Sequence, residues 1–442
     1  MKILLVSAYE LGHQPLSVAG PAAVLLDRGH DVRIVDLAVD PWDPTLDAWA
    51  ERIAISTPMH TATRIAHELA PQLSRPLACY GLYADMCDDI GTVVGGRDPV
   101  TGLVRWIEDD PGAVVSSEGV RPARDLLPDL DSYTRLEVAG ELRLVGSVEA
   151  SRGCAHRCRH CPVPVVHDGR IQVVAVATVL ADVQQQVDRG ARHVSFVDPD
   201  FFNGVHHARR VARALHHDFP DVTFDCTVKV EHVLRHEAVW EEMASAGCLF
   251  VVSAFESVND VMLRRLDKHH TAADAARAVM VLRDHGIEVR PSWMPFTPWT
   301  SLGDVHDILE FVAAHDLVAS VDPVQYTIRL LLPRGSLLLD QLPPLPWDAD
   351  RLSYVWESDL DPLQQLLTAL VETADDAPVA DTYNRIRETV DLPTVTITAD
   401  GGRPRLTESW FCCAEPNATQ IGQLLQPVAV RPTLPTPSRP SR

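Results

Sequence analysis

No stretch of the 442 residues approaches the eighteen or so consecutive apolar residues that a membrane-crossing helix needs. No basic segment followed by an apolar run opens the chain, so no secretory leader is expected either. Basic residues are scarce: 39 Lys and Arg against 61 Asp and Glu leave a net charge of −22. That balance argues against nucleic acid and anionic membrane as partners. Nine cysteines, odd in number and unevenly spaced, are no disulfide framework. A reducing, cytoplasmic location is the expectation. No internal repeat is evident, and no G-x-G-x-x-G follows the first apolar run, which removes the ordinary dinucleotide fingerprint.

What is present is a cysteine loop, Ser151-Arg152-Gly153-Cys154-Ala155-His156-Arg157-Cys158-Arg159-His160-Cys161-Pro162. Three thiols at C-x3-C-x2-C spacing can turn inward from one tight loop, each to a different iron of a [4Fe–4S] cube. A fourth ligand is missing, whereas structural zinc and electron-carrier clusters take four. His156 or His160 would complete a zinc knuckle, the competing reading, but a ligand wedged between two loop cysteines strains the turn. An iron left open to another molecule is the better reading.

Around this loop the chain alternates short apolar runs with helical periodicity. Runs at 2–8, 31–37, 52–56, 77–80 and 92–95 are separated by amphipathic stretches such as 16–28 and 59–73, which predicts a doubly wound parallel sheet. Residues 125–145 are turn-rich and read as a linker. Strands are expected again at 146–150, 193–197, 223–228, 249–255, 288–293 and 324–330, with helices at 173–186, 238–246 and 272–284 between them. Six such units suit a partial barrel, and the cysteine loop follows the first strand, at the face where barrel enzymes do chemistry. Beyond residue 346 short helices at 363–372 and 383–390 and a strand at 393–398 are expected. The last sixteen residues, rich in Pro, Ser, Thr and Arg, read as disordered.

With this loop and this alternation the chain resembles the radical SAM superfamily, in which S-adenosylmethionine chelates the fourth iron through its amino and carboxylate groups. The resemblance implies an α/β chain: a Rossmann-like, cobalamin-binding-type domain over 1–124, the linker, a partial (β/α)6 barrel over 146–345, an extension over 346–426 and a tail over 427–442. It implies Cys154, Cys158 and Cys161 as cluster ligands. Asp198 and Asp200, after the second barrel strand, stand where relatives hold the methionyl ammonium; an N-cap pair is the plainer alternative. Lys229 stands where a basic residue meets the cofactor carboxylate, and Ser253 to Glu256 resembles the G-x-E-S segment that contacts ribose and methionyl groups. Pro333-Arg334-Gly335-Ser336 looks like the P-G-T turn. For cobalamin the signals conflict: Gly95-Gly96 sits where that domain type has a glycine pair, but the D-x-H-x-x-G motif is missing from Glu10-Leu11-Gly12-His13-Gln14-Pro15.

Other residues are expected to be unremarkable. Cys79, Cys87, Cys226 and Cys248 read as core, and the pairs His206-His207, His216-His217 and His269-His270 as surface. The aromatic stretch from Trp293 to Trp299 is expected to line the substrate cavity or to pack on the N-terminal domain.

The string Cys412-Cys413-Ala414-Glu415-Pro416 is similar to the tail of a narrower group, the CUAEP/CCAEP-tail radical SAM proteins, which includes the enzyme of arsinothricin biosynthesis. That likeness implies transfer of the 3-amino-3-carboxypropyl group of S-adenosylmethionine to arsenite, giving hydroxyarsinothricin. Cys412 and Cys413 would hold the arsenic as a soft pair, with Glu415 moving a proton, and a flavodoxin or ferredoxin supplying electrons. A cobalamin-dependent methyltransferase and a non-catalytic iron–sulfur or metalloid-binding protein are the rivals.

Overall fold

The computed structural model describes residues 1–115, 119–374, 377–397 and 402–408. Cys412, Cys413, Glu415 and residues 427–442 lie outside them. Five strands open the chain: β1 (Lys2–Ser7), β2 (Asp31–Asp36), β3 (Arg52–Ser56), β4 (Leu77–Tyr80) and β5 (Thr92–Val94). They form a parallel sheet in the order β2-β1-β3-β4-β5. Ile3 to Val6 and Ile53 to Ile55 are fully buried, as the continuous apolar runs of a sheet covered on both faces must be. Helices Leu16–Asp27 and Pro99–Glu108 cover one face and His60–Leu69 the other. The strand order reverses between β1 and β3, the crevice where sheets of this kind take ligands.

Residues 125–145 are more ordered than a linker. After two short 3-10 turns, β6 (Arg135–Val138) and β7 (Glu141–Val148) pair as an antiparallel hairpin. Its turn, Ala139 and Gly140, has φ of 50° and 78°, the left-handed pair that a two-residue hairpin loop favours. The ribbon β8 (Ser151–Gly153) with β9 (Ile171–Val173) brackets the cysteine loop. Then β10 (His193–Phe196), β11 (Thr223–Thr227), β12 (Cys248–Glu256) and β13 (Glu288–Trp293) continue from β7 in parallel. Helices Ala272–Asp284 and Leu302–Ala314 start on capping boxes, Thr271 with Asp274 and Ser301 with Asp304. They join the other crossover helices in one large apolar core against the outer face of this curled half-barrel.

The sixth barrel strand expected at 324–330 is reduced to a single bridge, Phe296 with Arg329. Pro323 starts a 3-10 turn instead, and the Gln325 side chain accepts from the Trp293 N–H at 3.0 Å, taking the place of a ladder bond. The strand expected at 393–398 is also absent among the described residues. There the Asn384 amide brackets the backbone of Val395, at 3.0 and 3.1 Å, as a neighbouring strand would. Two short strands, β14 (Trp347–Asp348) and β15 (Ser353–Tyr354), pair with each other. Last comes β16 (Arg405–Leu406), which adds to β6 and completes the order β13-β12-β11-β10-β7-β6-β16.

The two sheets are locked together around Arg124, which has no exposure. Its guanidinium bonds both oxygens of Asp182, at 3.0 and 2.9 Å, and the Gln14 carbonyl at 3.2 Å. The Ser147 hydroxyl donates to the same carbonyl at 2.8 Å. Gln14 belongs to the loop after β1, so that loop is pinned into the half-barrel.

Candidate active site

Gly153 introduces the cysteine loop at φ 78°; a Cβ there would fall 2.3 Å from the Arg170 carbonyl, so the ribbon closes only over glycine. The loop is held from both sides: Arg159 N donates to Leu266 O at 2.9 Å, and the Asn203 amide oxygen accepts from Ala155 N at 3.1 Å. Cys154 and Cys158 are buried and Cys161 half-buried. Burial pushes the Cys161 thiol up to about 12 and raises Cys154 too. Thiolates become the stable form there only beside a metal's positive charge.

Among the described residues, one group of three ligand-type side chains brings its donor atoms within 4.8 Å of one another, and it is His156, Asp200 and His232, not the thiols. The cysteines therefore do not converge on one ion as a zinc knuckle would. A wider spread suits three corners of a cube.

Beside the loop, Glu256 ends β12 in the left-handed region, φ 64°. A non-glycine residue held there costs on the order of 1–3 kcal/mol, a strain typical of functional sites. Burial pushes its carboxyl up, but Lys268 at 3.2 Å and His160 at 3.1 Å outweigh this and hold it well below the usual carboxylate range. Lys229 is buried with no hydrogen-bond partner for its Nζ; Glu231, at 3.8 Å, is its carboxylate neighbour. That cation is available to an incoming anion.

The remaining residues singled out from the sequence have protein partners. Asp198 accepts from Ala150 N at 2.9 Å and Ser151 Oγ at 2.6 Å, fixing the start of the loop. Asp200 caps the turn after it through Phe202 N at 3.0 Å. Ser253 Oγ donates to Val228 O at 2.7 Å, joining β12 to the end of β11. Pro333 to Ser336 is a turn closed at 3.1 Å, with Gly335 at φ 77°.

Two histidines expected at the surface are buried. His207 shares a helix face with Val211 and Leu215 and meets the Ala150 carbonyl at 3.2 Å; His270 lies beside Lys268. Helical periodicity identifies the first, while nothing in the local pattern identifies the second. Lys268 and Asn203, which shape the site, carry no signal in the sequence because only the fold brings them to the loop. Trp293, the first residue of the aromatic stretch, packs edge-on against Phe255 and Phe311 on the helix side of β13. Cys79, Cys87, Cys226 and Cys248 are buried as expected.

The crevice between β1 and β3 is closed by this chain's own side chains. Ser17 and Ser56 share a 2.6 Å hydrogen bond across it, and the Tyr80 hydroxyl donates to Ser17 O at 3.0 Å. Residues 347–354 cover the neighbouring strand ends, with His60 bonded to Arg351 O at 2.8 Å and Leu352 packed on Tyr83 and Met86. His13, the histidine after β1, is turned into the half-barrel near Asp225 and His193. These residues do not fit a corrin.

Residues 148–312 match the radical SAM superfamily. This is a radical SAM domain. Members of that superfamily use a [4Fe–4S] cluster and S-adenosylmethionine, and the three thiols and Lys229, whose Nζ makes no hydrogen bond, fit both. The chain is 21% identical over 324 residues to hopanoid C-3 methylase of Methylococcus capsulatus, covering 65% of this chain and 62% of that one. It thus spans less than two thirds of that relative. In fold it is similar to TsrM, a radical S-adenosylmethionine methyltransferase from Kitasatospora setae solved with cobalamin and a [4Fe–4S] cluster. There the TM-score is 0.54 at 17% identity, over 71% of this chain and 70% of that one. It is similar also to OxsB, a cobalamin-dependent S-adenosylmethionine radical enzyme, with a TM-score of 0.60 at 13% identity, over 85% and 66%. At these identities the likeness is one of fold, and the radical SAM domain with its curled half-barrel is what they share.

Proposed function

We propose that this enzyme transfers the 3-amino-3-carboxypropyl group of S-adenosylmethionine to trivalent arsenic held by Cys412 and Cys413. The observation that carries this reading is the seating of the chain just before those cysteines. β16 is hydrogen-bonded to β6, and Glu408 is fixed by Tyr9 at 2.8 Å and by Thr134 at 3.1 Å, beside a cavity lined by Val252 and Arg290. Cys412 follows by four residues, a reach of at most about 14 Å. Along β12 from Val252 to Glu256, beside the cysteine loop, is about 13 Å. In this reading the chain after Glu408 bridges that interval to the site.

Cys154, Cys158 and Cys161 would hold a [4Fe–4S] cluster, which would supply the one electron that breaks a carbon–sulfur bond of S-adenosylmethionine and leaves a carbon radical. In this reading Lys229 pairs with the carboxylate of S-adenosylmethionine. Asp198, Asp200, Ser253 and Glu256 shape the walls of its site. Adjacent thiolates at Cys412 and Cys413 are a soft set suited to arsenic(III), and Glu415 moves a proton at an As–OH group. The carbon radical adds to the arsenic lone pair as methylthioadenosine leaves. Return of one electron from the arsenic adduct to the centre that supplied it, with water replacing both As–S bonds and freeing the two thiols, would give an arsonic acid, hydroxyarsinothricin, and the flavodoxin or ferredoxin donor need only prime the cycle.

The test is anaerobic reconstitution, reduction with dithionite, addition of arsenite, and mass spectrometry of the fragments. Methylthioadenosine with an aminocarboxypropyl–arsenic product, lost in Cys412→Ser and Cys413→Ser, is the expected result. Stoichiometric 5′-deoxyadenosine without an arsenic adduct would overturn it. Corrinoid-dependent methyl transfer would favour instead the chemistry named for the relatives above.

A further inference from the structure

We propose that His156, Asp200 and His232 form a mononuclear site for a divalent first-row transition metal, separate from the iron–sulfur cluster. The three come from three elements: the cysteine loop, the turn after β10, and the helix Val230–Arg235 that follows β11. Asp200 has no exposure, and His156 and His232 are nearly enclosed, at 12% and 8% of their side-chain surface.

One donor atom from each can be chosen so that all lie within 4.8 Å of one another, with His232 turning Nδ1 to Asp200 and Nε2 to His156. Asp200 Oδ2 lies 2.9 Å from His232 Nδ1 and 3.6 Å from His156 Nε2, and the two Nε2 atoms are 3.3 Å apart. Ligands at the usual zinc–nitrogen and zinc–oxygen distances around a tetrahedral ion sit about 3.3 Å from one another. Despite the 2.9 Å separation, Asp200 Oδ2 and His232 Nδ1 make no directed hydrogen bond, and both are buried. Unbonded lone pairs enclosed at this range are costly unless something between them accepts both.

The surroundings also suit a metal. Asp200 Oδ1 is already held by Phe202 N at 3.0 Å, which orients the other oxygen. Glu231 Oε2 lies 3.7 Å from His156 Nδ1 and has no hydrogen-bond partner, so it is available to take the N–H of a ligating imidazole, as outer carboxylates commonly do. In charge, Glu231 is met by Lys229 at 3.8 Å and by Arg235, whereas among the described residues Asp200 is paired with histidines and with no Lys or Arg. Two imidazoles and a carboxylate select a borderline cation such as Zn(II), Fe(II) or Co(II) over a hard one.

Cobalt(II) chloride is the probe. It is added anaerobically to the cluster-loaded enzyme, with unbound metal removed before spectra and elemental analysis. One cobalt per chain is expected, with visible d–d absorption and no thiolate-to-cobalt charge-transfer band. In His232→Ala and in Asp200→Asn the cobalt and its absorption should be lost while the cluster iron and sulfide stay at wild-type levels. Three results would overturn the proposal: no cobalt retained by the wild-type enzyme, a spectrum dominated by thiolate charge transfer, or wild-type cobalt in His232→Ala. If a variant loses its cluster as well, competition decides: zinc(II) must displace the wild-type cobalt band with the cluster spectrum unchanged. A band that resists zinc, or a cluster that is lost with it, counts against a separate site.

Discussion

Gly12 and Glu408 lie against each other from nearly opposite ends of the chain: a Cβ on Gly12 would fall 2.5 Å from Glu408 Cγ. With φ 68°, Gly12 also occupies a conformation few other residues adopt. The loop after β1 is thus shaped to receive the last described residue. Gly12→Ala and Glu408→Ala should unseat the strap formed by β16 and Glu408 and uncouple the reaction. Less arsenic product per methylthioadenosine is expected, by about tenfold, with cluster content unchanged. Burial raises the Glu408 carboxyl toward its neutral form, so Glu408→Gln should restore coupling. Equal coupling in all variants would mean that the strap does not position the tail.

The cluster prediction is simpler. Replacing Cys154, Cys158 or Cys161 with Ala should abolish the iron–sulfur optical and paramagnetic signals and all turnover. A normal cluster in the triple variant would sink the radical reading.

Arg124 and Asp182 join the two sheets as a buried pair, with side-chain exposures of 0% and 6%. Removing one partner strands the other, which costs about 3–5 kcal/mol. Arg124→Ala should therefore lower the melting temperature markedly, and a calorimetric scan showing less than a few degrees of change would contradict the assigned role.

His13 gives a pH dependence. Burial lowers it from 6.5 to about 4 in the folded chain. Between those values the unfolded state takes up a proton that the folded state refuses, so stability falls as pH drops from 6.5 toward 4, by roughly 1–3 kcal/mol. His13→Gln removes the titration, and its denaturation midpoint should vary less over that interval. An unchanged slope would show that His13 is not buried as a neutral ring.

Legibility from the sequence followed the range of the interactions. The strands of the first sheet, the cysteine loop and Lys229 at a strand end are local patterns, readable because burial imposes period and spacing on neighbouring residues. The sixth barrel strand is not legible because the apolar run 324–330 has a strand's pattern, while Pro323 and Gln325 take over the hydrogen bonding. Lys268 beside Glu256, and His156 against His232, were invisible for another reason. Each pair depends on helices and turns stacking across the half-barrel, and no spacing rule reports that.

The pairing of β16 with β6 has a consequence for synthesis. Arg405 follows its partner Glu137 by 268 positions. Through most of elongation the β6 edge therefore stands bare, an open template for strands of other chains. The N-terminal sheet, built from neighbouring segments, faces no such delay. A ribosome stalled before residue 405 would carry a chain able to wrap its cysteine loop but still sticky along one side. Aggregation during expression should concentrate in products truncated short of that strand.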